Sequence, residues 1–192
     1  MSETNKYEKH HLVIGIIQSK QMDIIKSYRE LGVFFEDADH TGIKSIEGDV
    51  SLRQFVSAML SYYPWWIVSL YRVRELLVSI LGLVKHEKPD VLPSFKPEDL
   101  SFSPGEKASF FIVRTAIEDT YWVAETPEDR HLKAFFGVVT EAAGNGLTRF
   151  HVFTSVKYIH WTGPVYFNLI RPFHHLVVSS MMRYAVKRHV IR

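Results

Sequence analysis

The sequence lacks cysteine, a long hydrophobic run and an excess of either charge. Because no cysteine occurs among the 192 residues, disulfide bonds and thiolate metal ligands are excluded. A chain without disulfides fits a reducing compartment, so we expect a cytoplasmic protein. No run of about 18 uncharged apolar residues is present, so we expect no transmembrane segment. The 23 basic and 21 acidic residues leave a net charge of +2, which gives no support for nucleic-acid binding.

Motifs for metals and phosphates are also missing. The histidine pairs His10-His11 and His174-His175 are adjacent in sequence, and adjacent side chains on a helix point apart, so one pair cannot close a metal site. The sequence contains neither a His-Glu-x-x-His motif nor a Gly-x-x-x-x-Gly-Lys loop. We therefore expect no metal and no cofactor.

Aromatic residues are abundant. Phe, Tyr and Trp make up 14% of the chain, enough to build a core, so disorder is not expected. Residues 1–9 are polar and are predicted to form a flexible N-terminal arm. Residues 10–192 have the length of a single domain.

The first half of the chain predicts two strands and two helices. The strands are expected over residues 10–17 and 32–38, the second ending in a turn at 39–42. Asp49 or Ser51 is a candidate cap for a helix in which apolar residues from Leu52 to Leu60 recur at helical spacing. A second helix is predicted to begin near Pro64 and to end at Gly82.

The second half predicts an antiparallel sheet followed by one long helix. Four strand-like runs lie between Ala108 and Tyr158, and Gly144-Asn145-Gly146 is typical of a tight hairpin. The apolar segment from Val165 to Val186 is predicted to be helical, with Pro172 causing a kink or dividing it in two. This order predicts an α+β fold in which a curved sheet wraps around the C-terminal helix and leaves room for an apolar guest.

Two segments resemble a known family. The first runs from Trp65-Trp66 through Tyr71-Arg72-Val73 to Leu81-Gly82-Leu83, and the second is the Pro172-Phe173-His174 ending. Both resemble an uncharacterised START-like family of the SRPBCC superfamily, over roughly Val33 to Val186. The resemblance implies a helix-grip fold with an interior cavity, and it implies no particular reaction.

Six residues are candidates for ligand contact. A guanidinium can hold a carboxylate through two hydrogen bonds, and a histidine can act as a base near neutral pH. A polar group among aromatic residues is typical of a ligand site. The alternatives are ordinary structural roles: a salt bridge for the arginine, capping or exposure for the histidine at the proline, a solvated face for the strand residues, and a place in the core for the aromatic residues. The candidates are Arg72, Tyr121, His151, Trp161, Phe173 and His174.

Three functions remain open from the sequence. The first is binding of a hydrophobic or amphipathic small molecule or lipid in an internal cavity, for transport or sequestration. The second is an enzyme of the cyclase or proton-transfer type acting on an aromatic or polyketide-like substrate. The third is a structural or interaction domain whose interior is filled by its own side chains. The sequence indicates no oligomeric state.

Overall fold

A computed structural model describes residues 19–80, 96–127 and 131–187. Residues 19–27 form helix α1, and a short 3-10 helix, Arg29–Phe34, follows. The chain then forms strand β1 (His40–Gly48), helix α2 (Leu52–Leu60) and helix α3 (Trp65–Ile80). After a 3-10 turn at Pro97–Asp99 come the remaining strands and the last helix: β2 (Lys107–Ala108), β3 (Phe111–Ile117), β4 (Tyr121–Glu125), β5 (Leu132–Gly144), β6 (Leu147–Tyr158) and α4 (Thr162–Lys187).

The strands form one antiparallel six-stranded sheet in the order β1-β6-β5-β4-β3-β2. Because β1 pairs with β6, the first strand of the sheet joins the last one across more than one hundred residues of sequence. Successive side chains of a strand point to opposite sides of a sheet. We call the side that packs on α2 and α4 the helix side, and the other the outer side.

The helix side carries the main hydrophobic core. Phe55 of α2 stacks on Phe150 of β6 with ring centroids 4.1 Å apart, and Val178 and Met182 of α4 join the same cluster. Nearer its N-terminus, α4 packs Tyr166 and Phe167 against strand residues in a separate cluster. Two apolar clusters therefore hold α4 at its two ends.

The outer side is covered by the N-terminal segment. Ile25 and Leu31 are completely buried there, in a cluster with Tyr121, Val123 and Phe153. Gly137 permits the close packing, because a Cβ at this position would lie 2.3 Å from the Phe153 ring. The sheet is thus covered on both sides. The sequence predicted a sheet wrapped around the C-terminal helix, with a helix pair in the N-terminal third, and did not include the cover on the outer side.

Several sequence predictions are confirmed. The fold is α+β, a curved antiparallel sheet with a long C-terminal helix in the helix-grip arrangement. Ser51 caps α2, and a reciprocal hydrogen bond from its own N–H to the Gln54 side chain completes a capping box. The β5–β6 hairpin turns at Asn145, whose φ is 52°, as its Asn-Gly sequence predicts.

Three local predictions are wrong or need correction. Residues 32–38 form part of a 3-10 helix and a turn rather than a strand, because apolar groups such as Phe34 and Phe35 anchor the segment to the outer side of the sheet. Residues 40–42 of the predicted turn at 39–42 are the beginning of β1, whose pairing with β6 overrides its polar sequence. The predicted division of the last helix at Pro172 is wrong, because the helix is continuous from Thr162 to Lys187. The alternative, a kink at Pro172, stays a prediction.

Other predictions lie outside the described residues. These are the arm at 1–9, the strand at 10–17 and the end of α3 at Gly82; the division into an arm and a single domain stays a prediction. Among the described helices, none has the length and apolar character needed to cross a membrane.

Candidate functional site

The six predicted ligand residues are dispersed over the molecule. Arg72 is exposed on α3, and Trp161, which is 75% exposed, directly precedes α4. Tyr121 and His151 are buried on the outer side of the sheet. His174 is half-buried and faces the helix side, whereas Phe173 lies about 100° further round the helix and is exposed. The structure does not bring these residues together at one site.

Tyr121 is held by the segment that covers the outer side. Its hydroxyl donates a hydrogen bond to the Glu30 carboxylate at 2.8 Å, and its ring meets Tyr28 edge-on at 5.5 Å. Burial, followed by the hydrogen bond to Glu30, raises the pKa of Tyr121, so the phenol stays protonated. This side chain has its partners within the fold.

His151 belongs to a polar network on the same side. Its Nδ1 lies 2.7 Å from the Ser45 hydroxyl, and its Nε2 lies 3.1 Å from Glu141 Oε2. Arg149 donates hydrogen bonds to both Glu141 and Glu47. The network borders a cleft of about 330 Å³ lined by Ser45, Ile46, Glu47 and Arg149.

His174 belongs to a second group, between β1 and α4 on the helix side. The rings of His40 and His175 lie 6.3 Å apart, as do those of His174 and His175. A Cβ at Gly42 would lie 3.6 Å from His175 Cε1, which shows how closely helix and strand approach here. We call this group the basic cluster; its members are His40, Lys44, Arg171, His174 and His175.

Burial and mutual repulsion keep the histidines of the basic cluster neutral. Burial lowers the pKa of His174 to about 4, with further lowering by His175, His40 and Lys44. Burial also lowers the pKa values of His40 and His175, and Arg171 contributes to both shifts. Among the described residues, the charged groups that shift these three pKa values are all basic. An anion placed among them would reverse part of each shift.

The side chains of the basic cluster have no polar partner in the described part of the chain. None of the hydrogen bonds or ion pairs among residues 19–80, 96–127 and 131–187 involves them. A metal does not account for the cluster, since the described histidine, aspartate and glutamate side chains form no group of three that could hold one. The arrangement is suited to binding an anion.

Sequence reasoning found His174 but missed His40, Lys44 and Arg171 as its neighbours. His40, Gly42 and Lys44 alternate along β1 and so share one side of the sheet. That signal required residues 40–48 to be predicted as a strand, whereas His40 was predicted to lie in a turn. The proximity of β1 to α4 depends on a pairing between distant strands, which local patterns do not reveal.

Fold and site together define an α+β helix-grip protein with a group of basic side chains between sheet and helix that have no polar partner among the described residues. A family model described as "Protein of unknown function (DUF2867)" matches residues 31–181, and the chain belongs to this family. The finer START-like assignment stays a prediction. No curated protein matches the sequence.

Two solved structures are similar in outline. The crystal structure of Ara h 8.0201 is 12% identical, with a TM-score of 0.39 over 77% of this chain and 98% of the other. Norcoclaurine synthase from Thalictrum flavum, solved in complex with dopamine and hydroxybenzaldehyde, is 10% identical, with a TM-score of 0.37 over 78% of this chain and 87% of the other. With TM-scores this low, neither similarity supports a conclusion about function.

Proposed function

We propose that the protein binds an amphipathic small molecule whose anionic head group lies at the basic cluster. The observation that carries this proposal is the set of five basic side chains without a polar partner among the described residues. Gathering basic groups without a counter-charge costs free energy, as the lowered histidine pKa values indicate. A bound carboxylate or phosphate would offset that cost through charge-assisted hydrogen bonds.

Apolar groups beside the cluster support an amphipathic ligand over a simple inorganic anion. The Phe167 ring lies 4.8 Å from the His40 ring, and Ile170 packs beside it in the apolar cluster at the start of α4. Burial of apolar ligand surface would contribute about 25 cal/mol per Å², reduced by the cost of ordering the ligand. The head group would therefore set orientation, and the apolar part would add affinity.

The enzyme alternative is less well supported at this position. An effective general base has a pKa near the working pH, so that it is both unprotonated and able to accept a proton. The pKa of His174 is about 4, which leaves it neutral but makes it a weak base. A neutral histidine with a lowered pKa suits an anion-binding site. A bound anion would raise the pKa of His174, and the protonated ring would then be its charged partner. Binding is therefore the function that this geometry favours.

The test is binding of a fluorescent fatty acid and of the matching fatty alcohol. Lys44 is partly buried and Arg171 is exposed. We expect Lys44→Gln combined with Arg171→Gln to weaken fatty-acid binding about tenfold, because each such charge contributes up to about 1 kcal/mol. The alcohol should bind both proteins equally. Arg183→Gln is the matched control: it removes an exposed arginine three turns further along α4, where the guanidinium donates to the Ser179 carbonyl and lies outside the basic cluster.

Three results would contradict the proposal. Equal weakening of acid and alcohol by a double variant with unchanged free energy of unfolding would mean that the cluster does not recognise the anionic head group. Equal weakening by Arg183→Gln would mean that net charge, rather than the cluster, attracts the acid. Failure of wild-type protein to bind either ligand would favour a domain whose interior is filled by its own side chains.

A further inference from the structure

The polar network on the outer side has the geometry of a nucleophile, a base and a carboxylate in series. Ser45 of β1 lies directly opposite His151 of β6, so their side chains point the same way. The Ser45 hydroxyl is 2.7 Å from Nδ1 of His151, and the opposite ring nitrogen is 3.1 Å from Glu141 Oε2. Because His151 is only 1% exposed, its ring is fixed between these two partners.

The carboxylate determines which ring nitrogen carries the proton. Burial raises the pKa of Glu141, but hydrogen bonds from His151 and Arg149 outweigh this and lower it overall, so the group is ionised. An ionised carboxylate accepts hydrogen bonds only, so Nε2 of His151 must carry the hydrogen. Nδ1 of the neutral ring is then an acceptor for the Ser45 hydroxyl. The serine proton is therefore directed at a base, as nucleophilic catalysis requires.

The serine and a guanidinium border the same cleft. Ser45 and Arg149 both line the cleft of about 330 Å³. Three of the five N–H groups of the Arg149 guanidinium donate to Glu47 and Glu141, which leaves two for a substrate oxygen. Glu47 and Glu141 together carry one more charge than Arg149, so the cleft disfavours an anionic substrate and an uncharged one fits it better.

We propose that Ser45, His151 and Glu141 form a hydrolytic site for small uncharged esters, with Arg149 stabilising the oxyanion. Ser45 Oγ bonds to the ester carbonyl carbon while its proton passes to His151 Nδ1, and the carbonyl oxygen becomes the oxyanion. The bond to the leaving alkoxide then breaks, and the alkoxide takes the proton from Nδ1. Water attacks the acyl-serine in the same way, releasing the acid and restoring the Ser45 hydroxyl. Glu141 acts through His151 and is a positioning residue.

The test uses a fluorophosphonate probe and p-nitrophenyl acetate on the full chain. We expect the probe to modify Ser45, identified by mass spectrometry of the labelled peptide. Ser45→Ala should abolish the labelling. It should also slow ester hydrolysis about 100-fold, because His151 then has no hydroxyl to activate and a positioned base usually contributes at least this much. Ser27→Ala is the control and should behave as wild type, since Ser27 is an exposed serine whose hydroxyl donates to the Ile24 carbonyl.

A second variant separates catalysis from structure. Burial lowers the pKa of His151, whereas Glu141 opposes the shift and Arg149 adds to it. The labelling rate should therefore rise with pH to a plateau, with a midpoint below 6.5. Glu141→Gln should slow labelling about tenfold and move the midpoint to lower pH, because the carboxylate no longer favours the protonated ring. A merely structural role would leave the midpoint unchanged.

The proposal fails if folded wild-type protein is not labelled at Ser45, or if Ser45→Ala hydrolyses the ester at the wild-type rate. Because Ser45 and the basic cluster lie on opposite sides of the sheet, failure here would leave the proposed binding function untouched.

Discussion

At the scale of single residues, His174 shows the largest effect of the basic cluster: burial and the neighbouring basic groups strongly lower its pKa. This side chain is half-buried on the helix side and has a pKa of about 4, compared with an ordinary value of 6.5. As the pH falls through 6.5, the unfolded chain takes up a proton that the folded chain does not bind. The free energy of unfolding therefore decreases between about pH 6.5 and pH 4.

Replacing His174 should make the protein less sensitive to acid. For the two pKa values above, the loss of stability between pH 7 and pH 5 is about 2 kcal/mol from this residue alone. Urea unfolding at pH 7 and at pH 5 gives the free energy of unfolding at each pH. We expect the difference between the two values to be smaller by this amount in His174→Gln than in the wild type. Lys44→Gln should remove a smaller part, because Lys44 is only one of the groups that lower the pKa of His174, and burial is the largest cause.

A variant His174→Gln that keeps the full acid sensitivity would show that the ring is not desolvated as described. The pH dependence of fatty-acid binding provides an independent check of the direction of the histidine pKa shifts. Under the proposed function, a bound anion would raise the histidine pKa values, so its affinity should increase as the pH falls from 8 to 6, as long as the ligand remains ionised.

At the scale of secondary-structure elements, local sequence chemistry determines where α2 begins. The Ser51 hydroxyl accepts a hydrogen bond from the Gln54 N–H at 3.2 Å, and the Gln54 side chain accepts one from the Ser51 N–H at 3.0 Å. The helix is only nine residues long, so these two bonds satisfy a substantial share of its free N–H groups. α2 also carries Phe55 into the core, so its position matters for the whole helix side.

Removing the cap should destabilise the protein measurably. We expect Ser51→Ala to lower the free energy of unfolding by about 1 kcal/mol, with no change in the dependence on denaturant. Ser69→Ala is the matched control, because Ser69 lies on the exposed surface of α3, where its hydroxyl donates to the Trp65 carbonyl. Alanine favours a helix interior, so this variant should be neutral or slightly stabilised. Equal effects of the two substitutions would exclude a specific role for the cap.

At the scale of the whole molecule, the N-terminal segment closes the outer side of the sheet. Ile25 and Leu31 are both completely buried against it, although residue 25 lies outside the part of the chain that matches the family. Phe35 packs on Phe153 with ring centroids 4.8 Å apart. Ile25 therefore contributes to the core of this chain even though the family match begins at residue 31.

Truncating Ile25 should test that contribution. We expect Ile25→Ala to lower the free energy of unfolding by 2 to 5 kcal/mol, about the cost of deleting a fully buried aliphatic side chain. Val33→Ala, in the same segment but 61% exposed, should change it by less than about 0.5 kcal/mol. If Ile25→Ala proves as mild as the control, the segment does not seal the outer side in solution.

By itself, the sequence determined the elements whose signals are local. The apolar spacing after Ser51, the Asn145-Gly146 turn and the long apolar segment beyond Thr162 depend on neighbours a few residues away, and each gave a correct prediction. Only the tertiary structure decided that residues 40–48 join the sheet and that His40 and Lys44 meet His174. It also decided that Ser45 meets His151. These contacts depend on the pairing of β1 with β6, strands that lie about one hundred residues apart in the sequence. The free energy of such pairing comes from contacts between distant residues, which a local sequence pattern does not reveal.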